Sequence, residues 1–210
     1  MILKLSIVIV VSYLLGSIPV GLIVGRLRKG IDIREYGSGK IGGTNVMRTT
    51  GIKYGFLTLL LDGFKAGLAV VLAHWIVGDT SMIISHVFIN WQLAQVIAGA
   101  TAIIGHNWPI FAQFKGGRGV SAYFGTMFVM VTLAASLGTI VLAITAYKTR
   151  YMSAGSILGA LTSLIITALL TILDKSPDIF LVYSLVLVLL VIYEHRDNIG
   201  RLKRRTERRL

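Results

Sequence analysis

Three short segments combine glycine with basic residues in a chain that is otherwise apolar. The first reads Gly37-Ser38-Gly39-Lys40-Ile41-Gly42-Gly43-Thr44-Asn45-Val46-Met47-Arg48. The second is Gly105-His106-Asn107-Trp108-Pro109 followed by Phe114-Lys115-Gly116-Gly117-Arg118-Gly119-Val120, and the third runs from Tyr193 to Leu202. Glycine lets backbone N–H groups approach an anion closely, and bases supply positive charge. Four glycines in the seven positions from Gly37 to Gly43 disfavour helix and fit a loop. There Ser38, Gly39, Thr44, Asn45 and Arg48 have the form of an oxyanion or phosphate cradle. The spacing matches neither a Walker loop nor a dinucleotide fingerprint. In the second segment Lys115 and Arg118 bracket Gly116-Gly117 just before an apolar run, and the N–H groups of a helix start attract anions. In the third, His195 and Asn198 share one face if the helix continues through them. Histidine takes a proton near neutral pH, and asparagine can orient it or hold a carbonyl oxygen. The combined chemistry is phosphate handling at a lipid–water boundary.

Apolar elements must position these segments. The chain has 210 residues, 55% hydrophobic and 14% charged, against roughly 25% charge in a soluble domain. That deficit identifies an integral membrane protein, and the length suits one transmembrane domain, residues 1–210. With no cysteine, disulfides, thiolate metal sites and cysteine nucleophiles are excluded. The net charge of +12 has ordinary readings as retention of basic loops in the cytoplasm and as attraction to anionic lipid. The run after Lys4 lacks a small-residue cleavage site and reads as a retained helix.

Clear spans cover Leu3–Gly25, Tyr54–Val77, Met82–Gly105 and Met152–Leu173, with a shorter one over Asp178–Tyr193. The loop from Arg26 to Lys53 holds seven bases and the tail after Tyr193 another seven, so both read as cytoplasmic. For the tail to be inside, Gly119–Arg150 must cross twice or re-enter. The sequence therefore predicts two short helices, Ser121–Val131 and Leu137–Lys148, joined near Thr132–Ser136. The expected fold is an all-α integral membrane protein, a compact bundle of about seven transmembrane helices, two of them short. Its N-terminus lies outside and its C-terminus in the cytoplasm, and all three glycine and base segments face the cytoplasm.

Other polar residues have plainer roles. Asp62 and Lys65, inside the second span at i, i+3 spacing, either pair with each other or support the site. His86, Asn90, Gln92 and Gln95 are expected to hydrogen-bond between helices. The His74…Asp79 spacing lies at the external end of a span, away from every phosphate-binding candidate, and is read as chance.

Together the three segments resemble the bacterial acyl-phosphate-dependent glycerol-3-phosphate acyltransferase family, PlsY. Gly37–Arg48 resembles that family's G-S-G-N-x-G-A-T-N-V-x-R, with Lys40 for the usual Asn and Gly43 for Ala. Gly105–Pro109 and Phe114–Val120 resemble G-H-x-x-P and F-K-G-G-K-G-V, with Arg118 for the second Lys. Glu194–Leu202 resembles R-H-R-E-N-I-x-R-L, with Glu194 for Arg and Asp197 for Glu. Gly16-Ser17-Ile18-Pro19 joins the likeness, which runs along essentially the whole chain.

The resemblance implies acyl transfer from acyl phosphate to the 1-hydroxyl of glycerol 3-phosphate, giving lysophosphatidic acid and phosphate. This is the first acylation step of phospholipid biosynthesis. It implies Ser38, Arg48 and Lys115 as phosphate ligands, the Gly116-Gly117 backbone completing the cradle, and His195 and Asn198 as catalytic. Gly39, Thr44, Asn45 and Arg118 join them as substrate-binding candidates. Whether His195 is the base or orients a substrate phosphate that acts as base is left open. The implied enzyme needs no cofactor and no metal. It works with membrane lipids and not with nucleic acid, in the inner (cytoplasmic) membrane with its site at the cytoplasmic face, and a monomer is one option. The alternative is a transporter of phosphorylated small solutes, which would place its glycine-broken helices near the midplane. An anionic-lipid-binding scaffold would explain the basic loops but not Ser38 or Asn198.

Overall fold

In a bilayer the backbone must satisfy its own hydrogen bonds, so long apolar runs become helices. The computed structural model describes residues 1–84 and 87–210. Its helices are α1 (Ile2–Ser17), α2 (Val20–Lys29), α3 (Gly43–Thr50), α4 (Ile52–Val77), α5 (Trp91–Asn107) and α6 (Val120–Met130). They continue as α7 (Thr132–Thr149), α8 (Met152–Ile172), α9 (Asp178–Glu194) and α10 (Arg196–Lys203). Among the described residues, four helical stretches are long and apolar enough to cross a membrane. A fifth qualifies if α9 and α10, bent by 57°, count as one.

The structure departs from the sequence expectation at four places, each with a local cause. The expected first span, Leu3–Gly25, is interrupted at Ile18–Pro19. Proline lacks an N–H and pushes the preceding residue out of the helical region, and Ile18 sits at φ −59°, ψ 115°. Lys65 Nζ donates to the Ile18 carbonyl at 2.6 Å.

The expected Met82–Gly105 span is shorter at its start. Met82–Ile84 (β1) and Val87–Ile89 (β2) pair as antiparallel strands, as their β-branched content favours. The helix α5 begins only at Trp91, where Asn90 Oδ1 accepts from the Leu93 N–H at 3.0 Å. Asn90 thus caps its own helix rather than bridging two, and His86 lies outside the described residues.

The expected pair Ser121–Val131 and Leu137–Lys148 is found as α6 and α7, with Val131 alone as the joint at φ −143°, ψ 74°. A single non-helical residue replaces the expected five-residue link. Only α6, with 11 residues, is short. The 18 residues of α7 reach about 27 Å at 1.5 Å each. Finally, the glycine segment is loop only to Gly42. From Gly43 it is the helix α3, whose Gly43 packs against Gly55 and Leu59 of α4.

Small residues let the helices meet closely. A β-carbon on Gly125 of α6 would overlap the Gly63 carbonyl of α4, and one on Gly16 of α1 would overlap the Ala102 carbonyl of α5. The helix α4 packs against α1, α3, α5 and α6, while α7 packs on α8 and α8 on α9. Two buried hydroxyl contacts tie α6 to α9: Tyr123 to Ser184 at 2.8 Å, and Tyr183 to Thr126 at 2.7 Å. Val182, Leu169, Ile165 and Leu189 are exposed on the outside, as lipid-facing side chains should be.

Candidate functional site

The loop before α3 takes its shape from one side chain. Asn45 Oδ1 accepts from the Ser38 N–H at 2.9 Å. Its Nδ2 donates to the carbonyls of Ile33 (2.8 Å), Tyr36 (3.1 Å) and Lys40 (2.9 Å). Gly37, at φ +59°, lies where a β-carbon would overlap Asn45 Oδ1, so only glycine fits the turn. Asn45 is therefore a positioning residue whose amide is fully engaged. It presents Ser38, Thr44 and Arg48 at the start and along one side of α3.

A second turn precedes α6. The Gly117 N–H donates to the His106 carbonyl at 3.1 Å, and Gly119 caps α6 at φ +78°, a conformation suited to glycine. Between them lies Arg118, whose Nε is buried and has no hydrogen-bond partner among the described residues. Burial lowers its pKa from the ordinary value, with nearby Arg201 adding to the effect. An under-solvated guanidinium of this kind is suited to an incoming anion.

The third segment is where the helix does not continue straight. The chain bends by 57° at His195 between α9 and α10. His195 and Asn198 are both buried, 3% and 4% exposed. His195 Nδ1 donates to the Val191 carbonyl at 2.8 Å, which leaves the Nε2 lone pair free in the neutral ring. Burial is the largest influence on the imidazole. It pushes the pKa down to about 4, the Val191 bond opposes this, and Arg118 assists it.

Asn198 is held by a residue the sequence reading missed. The tail after α10 folds back so that Glu207 Oε1 accepts from Asn198 Nδ2 at 2.6 Å and from Ser153 Oγ of α8 at 3.0 Å. Its Oε2 accepts from Arg201 Nε at 2.7 Å. Burial pushes the Glu207 carboxyl up, but the bonds from Asn198, Arg201 and Ser153 outweigh it and hold the group below its ordinary pKa. The same tail meets Arg48, which donates to the carbonyls of Arg208 (3.0 Å) and Arg209 (3.2 Å). The only hint in the sequence was a lone acid in the basic run from Arg201 to Arg209.

These groups line one cavity of about 1120 Å³. Ser38, Thr44, Asn45, Arg48, Gly117, Arg118, His195 and Asn198 are on its wall, joined by Lys40, Asp62, His106, Ser153 and Glu207. Gly39, Lys115 and Gly116 of the expected set are not on that wall. Lys115 is exposed and Gly116 is covered by the His106 and Asn107 carbonyls. Beyond the polar end the cavity continues as an apolar groove past Phe64, Gly67 and Val71 of α4, Phe124 and Phe128 of α6, and Leu142 of α7. His74 takes no part: its ring packs edge-on against Trp91, centroids 5.0 Å apart, near the far end of α4.

Two of the departures from the family pattern, Lys40 and Glu194, face each other. Lys40 Nζ lies 3.9 Å from Glu194 Oε2. The Lys40 charge is thus met by Glu194, and the pair is neutral where the family pattern has an asparagine and a base.

The fold and site define a helical membrane bundle that gathers cationic groups and a buried imidazole at the head of an apolar groove, a shape and charge suited to an anion attached to a lipid chain. Comparison with known proteins agrees. The family model for glycerol-3-phosphate acyltransferase matches residues 6–205, and the chain belongs to that family. Glycerol-3-phosphate acyltransferase 3 of Dehalococcoides mccartyi (strain CBDB1) is 41% identical over 207 residues, covering 99% of this chain and 96% of that protein. The Bacillus cytotoxicus glycerol-3-phosphate acyltransferase is 36% identical over 199 residues, covering 95% and 91%. The crystal structure of PlsY (YgiH) in its glycerol 3-phosphate form superposes with a TM-score of 0.83 at 31% identity, over 98% of this chain and 95% of that one. The lysophosphatidic acid form gives 0.81 at 33% identity, with the same coverage.

Proposed function

We propose that the protein transfers the acyl group of an acyl phosphate to the 1-hydroxyl of glycerol 3-phosphate. The products are lysophosphatidic acid and inorganic phosphate. The observation that carries this reading is the continuity of one cavity from a cationic end to an apolar groove. The phosphates of both substrates sit at the first, and the acyl chain enters the second sideways between helices. An acyl phosphate is already activated, so the enzyme needs no nucleophile of its own. What remains is to align two anions and remove one proton.

Ser38, Thr44, Arg48 and Arg118 hold the phosphates, with Lys115 at the edge. The Gly116-Gly117 turn, whose Gly117 N–H is engaged by the His106 carbonyl, places Arg118 beside them. His195 enters turnover neutral. Its Nε2 accepts the proton as the 1-hydroxyl oxygen attacks the acyl carbon. The bond from that carbon to the phosphate oxygen then breaks, and phosphate leaves with the electron pair. A base of pKa about 4 is weak at neutral pH, but a bound anion favours imidazolium and raises the pKa toward the working range. Asn198, held through Nδ2 by Glu207, keeps Oδ1 to orient the hydroxyl.

Seven crossings, with the N-terminus outside and the C-terminus inside, put this end of the bundle at the cytoplasmic face of the cell membrane, where glycerol 3-phosphate is found. The loop charges support that orientation. The test is incubation of pure protein with glycerol 3-phosphate and palmitoyl phosphate, with palmitoyl-CoA in parallel and a chelator in a further arm. Turnover with the phosphate donor, little with the thioester and no loss on chelation are expected. Use of acyl-CoA with no use of acyl phosphate would overturn the reading.

A further inference from the structure

The reaction leaves three buried titratable side chains unexplained: Asp62 and Lys65 of α4 and His106 of α5, exposed 2%, 5% and 3%. Ionisable groups at membrane depth are costly and tend to be functional. Simple pairing accounts for Asp62 and Lys65, at 2.8 Å, but not for where the cluster leads. Lys65 Nζ also donates to the Ile18 carbonyl at 2.6 Å, at the break between α1 and α2. Asp62 Oδ1 faces His106 Nδ1 at 3.4 Å. His106 in turn supports the turn before α6 in two ways. Its carbonyl accepts the Gly117 N–H at 3.1 Å, and its ring fills the space where a side chain on Gly117 would stand. Asp62, His106 and Gly117 all lie on the wall of the catalytic cavity.

We infer that Asp62, Lys65 and His106 are positioning residues that set the shape of the Gly116-Gly117 turn, and through it the affinity for substrate phosphate. Lys65 anchors Asp62 to the α1–α2 break. The Asp62 charge attracts the Nδ1 edge of the His106 ring across 3.4 Å, with no formed hydrogen bond, and the ring backs Gly117. This inference rests on the proposed role of that turn in placing Arg118 beside the phosphates. Small misplacement of a binding group costs up to about a hundredfold.

The test measures kcat, KM for glycerol 3-phosphate and the inhibition constant of inorganic phosphate, with direct phosphate binding to the pure protein as a separate arm. Asp62→Asn keeps the shape and removes the charge. It should raise KM and the phosphate constant together by about tenfold or more, with kcat at saturation little changed. His106→Gln should do less than His106→Ala. Gly117→Ala should all but abolish binding, because its β-carbon meets the imidazole. Combining it with His106→Ala should recover part of the loss, since the ring is gone. A merely structural cluster would instead lower folded yield and kcat without this split or rescue. Wild-type KM and phosphate affinity in folded Asp62→Asn and His106→Ala would overturn the inference. So would a double variant no better than Gly117→Ala alone. Absence of acyl-phosphate turnover in wild-type protein would sink the proposed function instead, and the phosphate-binding arm would still decide this one.

Discussion

Replacing Glu207 with alanine deletes one carboxylate and strands three donors. Asn198 and Ser153 are 4% and 5% exposed, so their donors reach water only through the cavity they line. Each buried donor left unsatisfied costs about 1–3 kcal/mol. The Arg201 side chain is 26% exposed and recovers solvent, so its share is about 0–1 kcal/mol. The sum is about 2–7 kcal/mol, and the usual cost of removing one partner from a buried pair narrows it to about 3–5 kcal/mol. For a chain of this length 1 kcal/mol corresponds to about 2–4 °C, so Tm should fall by about 6–20 °C. Glu207→Gln keeps an oxygen for Asn198 and Ser153 but turns an NH2 donor toward Arg201, which moves to solvent, a loss of about 1–2 kcal/mol. The order of stability is therefore wild type, then Gln, then Ala. Turnover follows the same order, because Asn198 loses the bond that orients its amide. The assay is thermal unfolding in detergent, followed by circular dichroism, alongside kcat with saturating palmitoyl phosphate and glycerol 3-phosphate. A Glu207→Ala protein that unfolds within 2 °C of wild type, on the scale of about 2–4 °C per kcal/mol, with unchanged kcat would refute the account of the tail.

Lys40→Asn alone should raise KM for glycerol 3-phosphate by about two- to fivefold, the scale of about 1 kcal/mol for a partly exposed pair. Adding Glu194→Arg should restore it, and no recovery in steady-state kinetics would mean the two positions are not coupled. The His195 imidazole should stay neutral down to about pH 4 in the free protein, read by nitrogen NMR of labelled histidine, and titrate higher with phosphate bound. Because the folded value lies below the ordinary 6.5, the unfolded chain binds more protons between the two. The stability His195 contributes is therefore complete above pH 6.5 and is lost as pH falls toward 4. A midpoint near 6.5 in the free protein would remove the burial argument. Cysteines at Gly30 and Thr206 should label only from the cytoplasmic side, and one at Thr80 from outside. External labelling at Thr206 would break the seven-crossing topology.

Local chemistry made much of this protein legible before any fold was known. Apolar runs of bilayer length can only be helices, so α4, α8 and α9 are found within a few residues of their expected ends. Glycine and proline act on their own neighbours, so the glycine turns at Gly37 and Gly119 could be read directly. The charge balance of loops argued for two helices between Gly119 and Arg150. It could not locate the joint, because Val131 carries no turn-forming signal and the break is a matter of how α6 and α7 pack. What the sequence could not contain is who meets whom across the bundle. Ser153 and Glu207 are 54 residues apart and share a hydrogen bond. Lys40 and Glu194 come within 3.9 Å from opposite ends of the chain. Asn45, which looks like a ligand by type, is engaged in four bonds to its own loop. Asp62 meets the turn before α6 through His106 of another helix. Apart from the local Asn45 turn, each of these depends on long-range packing, which brings side chains together by geometry and leaves no periodic or compositional trace along the chain.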